Sequence, residues 1–188
     1  FMVILGGEEF KDGEITSADI FKFVQEKKTL PKTSAINKES YRMFFEQQLK
    51  EADAIVHFSL SSQLSSSCQN AKDVASEMKN VYVVDTLSLS TGIALLAIHA
   101  RELANSGKNA EEIFELCEKR TKDVQASFVV KKLDYLHKGG RCSGLTRFFG
   151  TAIRMKLLIR VKDGKLGVHK KAIGPTKKAL NLMLDDFY

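Results

Sequence analysis

The sequence predicts an α/β protein, a mostly parallel sheet flanked by helices and joined to a second, smaller α/β unit that is incomplete. Three observations carry this. Short apolar runs, Ala54 to Leu60 and Val81 to Val84, alternate with helix-like stretches, and strands joined by helical crossovers pair in parallel. Near residue 127 the pattern changes, and two β-prone runs flank Asp163-Gly164, a hairpin signal. The charge changes with it. Residues 1–130 hold 15 Lys+Arg against 19 Asp+Glu, and residues 131–188 hold 14 against 4, so a segment of −4 joins one of +10 within a whole of +6. The expected boundary lies between 1–126 and 127–188.

Phe1 to Leu5 is apolar and β-prone and ends at Gly6-Gly7, with Phe10 and the turn Asp12-Gly13 beyond. Thr16 or Ser17 caps a helix from about Ala18, with Ile20, Phe21, Phe23 and Val24 facing inward. A polar loop, Lys28 to Ser34, leads to a helix over 38–50 that carries Tyr41, Phe44, Phe45 and Leu49 at helical spacing. The strand at 54–60 runs into the serine-rich loop 61–67 and a helix over 68–79. The strand at 81–84 ends at Asp85-Thr86, and helices near 91–105 and 110–121 are separated by Ser106-Gly107. In the second unit, Ser127 to Val130 reads as a strand and Leu133 to Leu136 as a helical turn. Met155 to Val161 and Lys165 to Lys170 read as paired strands, and Pro175 opens a last helix.

With 44% hydrophobic and 28% charged residues, the chain is neither a disordered tail, a collagen-like fibre nor a coiled coil. Its apolar runs, such as Gly92 to Ile98, fall far short of the roughly 20 residues of a membrane span. Cys68, Cys117 and Cys142 are odd in number and form no CxxC pair, which argues against a disulfide framework or zinc knuckle and for a reducing cytoplasm. The chain opens on Phe1, in an apolar run rather than a basic leader, which predicts a fragment of a cytoplasmic protein.

The serine loop is the strongest local signal. A strand feeding a polar loop that opens a helix offers free N–H groups, the positive end of the helix dipole and hydroxyl donors, which together suit a carboxylate or phosphate. The competing reading is plain helix capping. The Lys32-Thr33-Ser34 loop offers a second set of hydroxyls on the same two readings. Gly139-Gly140-Arg141 places an arginine after two flexible residues, fit to clamp an anion or dock a partner, or else a simple turn.

Other chemistries fit less well. No Gly-x-Ser-x-Gly elbow, Walker loop or Gly-x-Gly-x-x-Gly is present. His57 lies within a strand and reads as a buried, satisfied histidine. His99 reads as packing, and His137 and His169 lie in the basic part without partners at metal spacing, so no metal site is expected. Cys68 reads as a packing residue. Arg147 with Phe148 and Phe149 is the only basic–aromatic cluster, too little to predict a nucleic-acid partner.

Taken in order, the pieces resemble the DegV family of bacterial fatty-acid-binding proteins. The matching residues are Pro31-Lys32-Thr33-Ser34, Ser61-Ser62-Gln63-Leu64-Ser65, Gln69 and Ala71, and Val83-Val84-Asp85-Thr86. Tyr135 to Arg141, Asp163-Gly164-Lys165 and Lys177-Lys178-Ala179 follow. The resemblance implies a two-domain protein that encloses a long-chain fatty acid such as palmitate or oleate in a tunnel, with no other cofactor. Its implied carboxylate site is Thr33, Ser34, Ser61, Ser62 and Ser65, led by Thr33 and Ser62, with Gly140 and Arg141 toward the site and the partner surface. It further implies a carrier without catalytic residues. The resemblance implies too a separate fatty acid kinase that would make the acyl phosphate for phospholipid synthesis, and the basic second part would suit that kinase or a membrane surface where lipid is collected. Departures from the family pattern are Ala35-Ile36-Asn37 after Thr-Ser, Ser66 in place of a glycine, Ile173 in place of an arginine and Leu157 in place of a proline. Against the family, a first strand and most of the second domain are expected to lie outside this chain. The alternative is a phosphotransferase-type α/β enzyme that uses the serine loop for phosphate and His57 as phospho-acceptor.

Overall fold

The computed structural model of the chain describes residues 1–130, 136, 138–141 and 155–186. Its elements are β1 (Met2–Leu5), β2 (Glu8–Lys11), α1 (Ser17–Lys27), β3 (Lys32–Ser34), α2 (Lys38–Gln48), β4 (Ile55–Ser59), α3 (Ser67–Ala75) and β5 (Val81–Asp85). They continue with α4 (Thr91–Asn105), α5 (Ala110–Arg120), a 3-10 turn (Thr121–Asp123), β6 (Ser127–Val130), β7 (Met155–Lys162), β8 (Lys165–Ile173) and α6 (Thr176–Leu184). The helical turn expected at 133–136 falls largely outside the described residues, as do Tyr135, His137, Cys142, Arg147, Phe148 and Phe149.

The class is α/β, but parallel pairing among the described residues is confined to β4 and β5. The order β2-β1-β3 is antiparallel throughout, as is β6-β7-β8. The reason is local. Gly6 and Gly7 both take positive φ, at 63° and 105°, which a two-residue hairpin requires, so β1 turns straight back rather than entering a crossover helix. Asp163 and Gly164, at 50° and 76°, do the same between β7 and β8.

The β4–β5 pair is the centre of the first part. Strand alternation sends Ile55, Val81 and Val83 toward α2 and α3, where they meet Tyr41, Phe45, Cys68, Ala71 and Val74. It sends Val56, Phe58 and Val84 to the other face, against Ala100 of α4 and Ile113 and Cys117 of α5. Burial of each large apolar side chain contributes about 1.5–3 kcal/mol, and Phe45, fully buried, is the largest. A separate cluster forms around Leu157 and Ile159 of β7, with Phe128, Val130, Leu166 and Val168.

Helix ends follow their sequence signals. Thr16 caps α1, bonding the Asp19 N–H while the Asp19 carboxylate accepts from the Thr16 N–H, and Asn109 and Glu112 form the same reciprocal pair on α5. The inward face expected for α1 is not realised as a core. None of its residues is buried, Phe21 is 64% exposed, and Ile20, Phe23 and Val24 are half-buried. In the second part, α6 is tied down at its end by Asp186, which accepts from Arg160 Nη2 at 2.5 Å and from Lys170 Nζ and lies 3.0 Å from His169 Nε2. His169 therefore has the carboxylate partner that its sequence neighbourhood does not show. Among the described residues no helix is long and apolar enough to cross a membrane.

Candidate functional site

The parallel pair points its carboxyl ends at one place. β4 ends at Ser59 and enters the serine loop, and β5 ends at Asp85 beside it, which is where open α/β sheets bind ligands. A cavity of about 490 Å³ opens there. Thr33, Ser34, Ser65 and Arg141 are among the polar residues of its wall, and Phe1, Ile36, Leu60, Leu64, Leu89 and Leu166 among the apolar ones.

A short hydrogen-bond chain fixes the two hydroxyl-bearing segments against each other. The Ile36 N–H donates to Ser67 Oγ at 3.2 Å, and Asn70 Nδ2 donates to the Ile36 carbonyl at 2.7 Å, which staples the Thr33–Ile36 strip to the start of α3. Ser65 Oγ accepts from the Ser67 N–H at 3.1 Å and lies 2.9 Å from Ser67 Oγ. When Ser67 donates across that pair, the Ser65 hydroxyl proton is left to point elsewhere, and the cavity is beside it. The Ser65–Ser67 contact is a local loop bond, since Ser66 is the N-cap of α3 and its side chain makes no capping hydrogen bond.

The remaining serines divide. Ser61 is fully buried, donates to the Gly164 carbonyl at 2.8 Å and accepts from the Gln63 N–H at 3.2 Å. Ser62 is exposed, and its N–H donates to Asp85 Oδ1 at 3.1 Å. Neither lines the cavity. Their contribution is to hold the loop. Gly140, with φ of 74°, makes the turn that carries Arg141, whose Nη1 donates to the Gly139 carbonyl at 2.9 Å. Arg141 is exposed and lines the same cavity as Thr33, Ser34 and Ser65.

His57, Tyr41, Ser59 and Ser67 also line the cavity; in the sequence Tyr41 reads as a packing residue of α2, Ser67 as part of the serine loop and His57 as a buried histidine, while Ser59 carries no signal of its own. The readable signal was strand alternation, which puts 57, 59 and 61 on one face of β4 and its extension. The His57 ring stands edge-on to Tyr41 and Phe45, each 5.5 Å away between centroids. Its Nε2 is buried with no hydrogen-bond partner among the described residues, so the partner expected for this histidine is not found at that nitrogen. Burial pushes the His57 pKa down, keeping the ring neutral. Burial likewise raises the Tyr41 phenol, opposed by the neighbouring Ser59 and Ser67 hydroxyls. Cys68 is buried and free, and burial pushes its thiol up, away from reactivity. Among the described residues no group of three His, Cys, Asp or Glu side chains could hold a metal.

The family model described as "Uncharacterised protein, DegV family" matches residues 1–187. A fatty acid-binding protein of Thermotoga maritima is 32% identical over 171 residues, covering 89% of this chain and 59% of that protein. A solved DegV family protein from Thermus thermophilus, described for its fatty acid binding, is 31% identical with a TM-score of 0.85, over 99% of this chain and 67% of that one. A DegV family protein from Ruminococcus gnavus, solved with vaccenic acid, is 26% identical with a TM-score of 0.85, over 99% of this chain and 68% of that one. This chain thus spans less than two thirds of its Thermotoga relative. Motifs, fold and whole-chain match lead to one statement: the chain belongs to the DegV family.

Proposed function

We propose that this chain binds one long-chain fatty acid of the palmitate or oleate kind, its carboxylate on Thr33, Ser34 and Ser65 and its acyl chain along the apolar wall. The observation that carries the reading is the cavity itself, where hydroxyl donors and one arginine meet apolar walls at the carboxyl ends of β4 and β5. A carboxylate is small, planar and anionic, and hydroxyl protons with a guanidinium satisfy it. Each buried CH₂ contributes about 0.8 kcal/mol before ordering costs, so the chain supplies affinity and the head supplies orientation. Ser61 and Ser62 shape the loop, and Gly140 and Arg141 complete the rim. Relatives described as fatty acid-binding, one solved with vaccenic acid, support the ligand class.

The protein acts as a carrier, with no cofactor beyond its lipid. A carboxylate at an open rim is placed for a separate fatty acid kinase to phosphorylate, giving an acyl phosphate for phospholipid synthesis in the cytoplasm. The surplus of Lys and Arg in residues 131–188 suits an acidic kinase surface or the transient membrane contact where lipid is collected. The two units 1–126 and 127–188 would then close on the ligand from either side. A phosphotransferase role is disfavoured, because the His57 ring packs edge-on to Tyr41 and Phe45 with its Nε2 buried, which leaves that nitrogen poorly placed to accept a phosphoryl group. The test is lipid extraction with binding assays. Wild-type protein should hold fatty acid, and Thr33→Ala with Ser65→Ala should release it; equal retention by the double variant would overturn the site.

A further inference from the structure

The two hydroxyl-bearing segments of the cavity come from different sheets, so strand pairing does not set the distance between them. Thr33 and Ser34 lie on β3, which pairs with β1, and Ser65 lies in the loop that leaves β4. One turn of α3 joins the two. Resting on the reading of the cavity as a fatty acid site, we propose that Ser67 and Asn70 are positioning residues for the carboxylate, setting the span between Thr33-Ser34 and Ser65 that the head group bridges. Both backbone groups of Ile36 are held by this turn. Its N–H donates to Ser67 Oγ at 3.2 Å, and its carbonyl accepts from Asn70 Nδ2 at 2.7 Å. The Ile36 side chain packs against the cluster that contains Tyr41, Phe45 and Val74, which keeps the strip close. Apolar packing has no direction, however, so the rotation of this backbone rests on the hydrogen bonds. Ser67 holds the other segment as well: its N–H donates to Ser65 Oγ at 3.1 Å, and its hydroxyl lies 2.9 Å from the same atom. Asn70 lies outside the cavity wall and acts through Ile36 alone. Charge-assisted hydrogen bonds to a carboxylate weaken steeply when misaligned, whereas burial of an acyl chain does not, so displacing the strip weakens the hold on the head and spares the hold on the tail. The helix itself is seated independently, by the Lys38–Asp73 ion pair at 2.6 Å and by Ala71 and Val74 in the core.

The experiment measures Kd for palmitate and for methyl palmitate, whose head carries no charge, on the delipidated full chain by displacement of a fluorescent fatty acid. Asn70→Ala should weaken palmitate about tenfold and methyl palmitate about twofold or less. Asn70→Asp keeps the shape but turns an oxygen toward the Ile36 carbonyl, and should show the same selective loss. Ser67→Ala should show it too, while Ser67→Thr, which keeps the hydroxyl, should hold palmitate within about twofold of wild type. Palmitate binding unchanged in both Asn70 variants would overturn the positioning role while leaving the acyl reading standing. An equal loss for the two lipids would also overturn it, since that marks general damage to the cavity. A loss in Ser67→Thr as large as in Ser67→Ala would overturn the part given to the Ser67 hydroxyl. Wild-type protein that binds neither lipid would remove the acyl reading and this inference together.

Discussion

The Ser61 hydroxyl donates to the carbonyl oxygen of Gly164 at 2.8 Å, joining residues 103 positions apart in sequence. It fastens the serine loop to the tip of the β7–β8 hairpin. The approach is so close that a side chain cannot enter. A Cβ on Gly164 would stand 2.5 Å from Ser61 Oγ and 2.9 Å from Gln63 Cγ, at a φ of 76° that favours glycine. The cavity depends on this contact, since Leu64 and Ser65 follow from the loop and Leu166 from the strand beyond the hairpin.

Replacing either partner should loosen that junction. Ser61→Ala leaves a buried carbonyl without its donor and is expected to cost about 1–3 kcal/mol. Gly164→Ala adds a strained φ to a steric clash and should cost at least as much. Urea unfolding of the two variants measures both, and ligand release should accompany the loss.

A second steric lock lies at the start of α4. A Cβ on Gly92 would fall 2.0 Å from Ser88 Oγ and 3.0 Å from Ser88 Cβ, with Ser88 buried. Gly92→Ala should therefore destabilise by about 1–3 kcal/mol, and pairing it with Ser88→Gly should recover much of that loss. Thermal melts of the two single variants and the double variant give the coupling.

Acid should act through two named groups. The folded-state pKa of His57 is depressed by burial, so the unfolded chain binds the proton more readily. Stability is then full above about pH 6.5 and falls as pH drops through the region below it. Asp186 is held below the usual carboxylate range, chiefly by its hydrogen bond from Lys170, with the Arg160 and His169 charges assisting. Its stabilisation is present above about pH 4 and is lost as pH falls further. His57→Phe should remove the first decline and Asp186→Asn the second, read from denaturation midpoints across pH.

The hydroxyl rim makes its own prediction. Hydrogen bonds to a charged group are worth about 1.5–3 kcal/mol, so Thr33→Ala and Ser65→Ala should each weaken fatty acid binding by about tenfold or more. Ser62→Ala should have little effect, because Ser62 is exposed and engages the loop through its backbone N–H.

Much of this was legible along the chain, and what was not follows a rule. α2, α4, α5, the parallel pair and the Asp163-Gly164 hairpin were readable because periodicity, caps and turn residues are local signals. β2 and β3 were not, since Glu8–Lys11 and Lys32–Ser34 are short and mostly exposed and become strands only by pairing with β1. The amphipathic look of α1 overstated its burial, because periodicity shows a face but not what covers it. Of the residues singled out by type and loop position, Thr33, Ser34, Ser65 and Arg141 line the cavity and Ser61 and Ser62 do not, the Ser61 hydroxyl being engaged by the distant Gly164 carbonyl. Ser59 carried no signal in the sequence, and that Ser67 and Tyr41 share its cavity shows only where β4, α3 and α2 meet in space.

The most direct test of the central claim is native mass spectrometry of the purified, full-length protein, with a parallel phosphohistidine assay using a phosphoryl donor. The account predicts a mass increment of about one fatty acid per chain, released by organic extraction, and no label on histidine. A protein that carries no lipid and instead labels at His57 would contradict it.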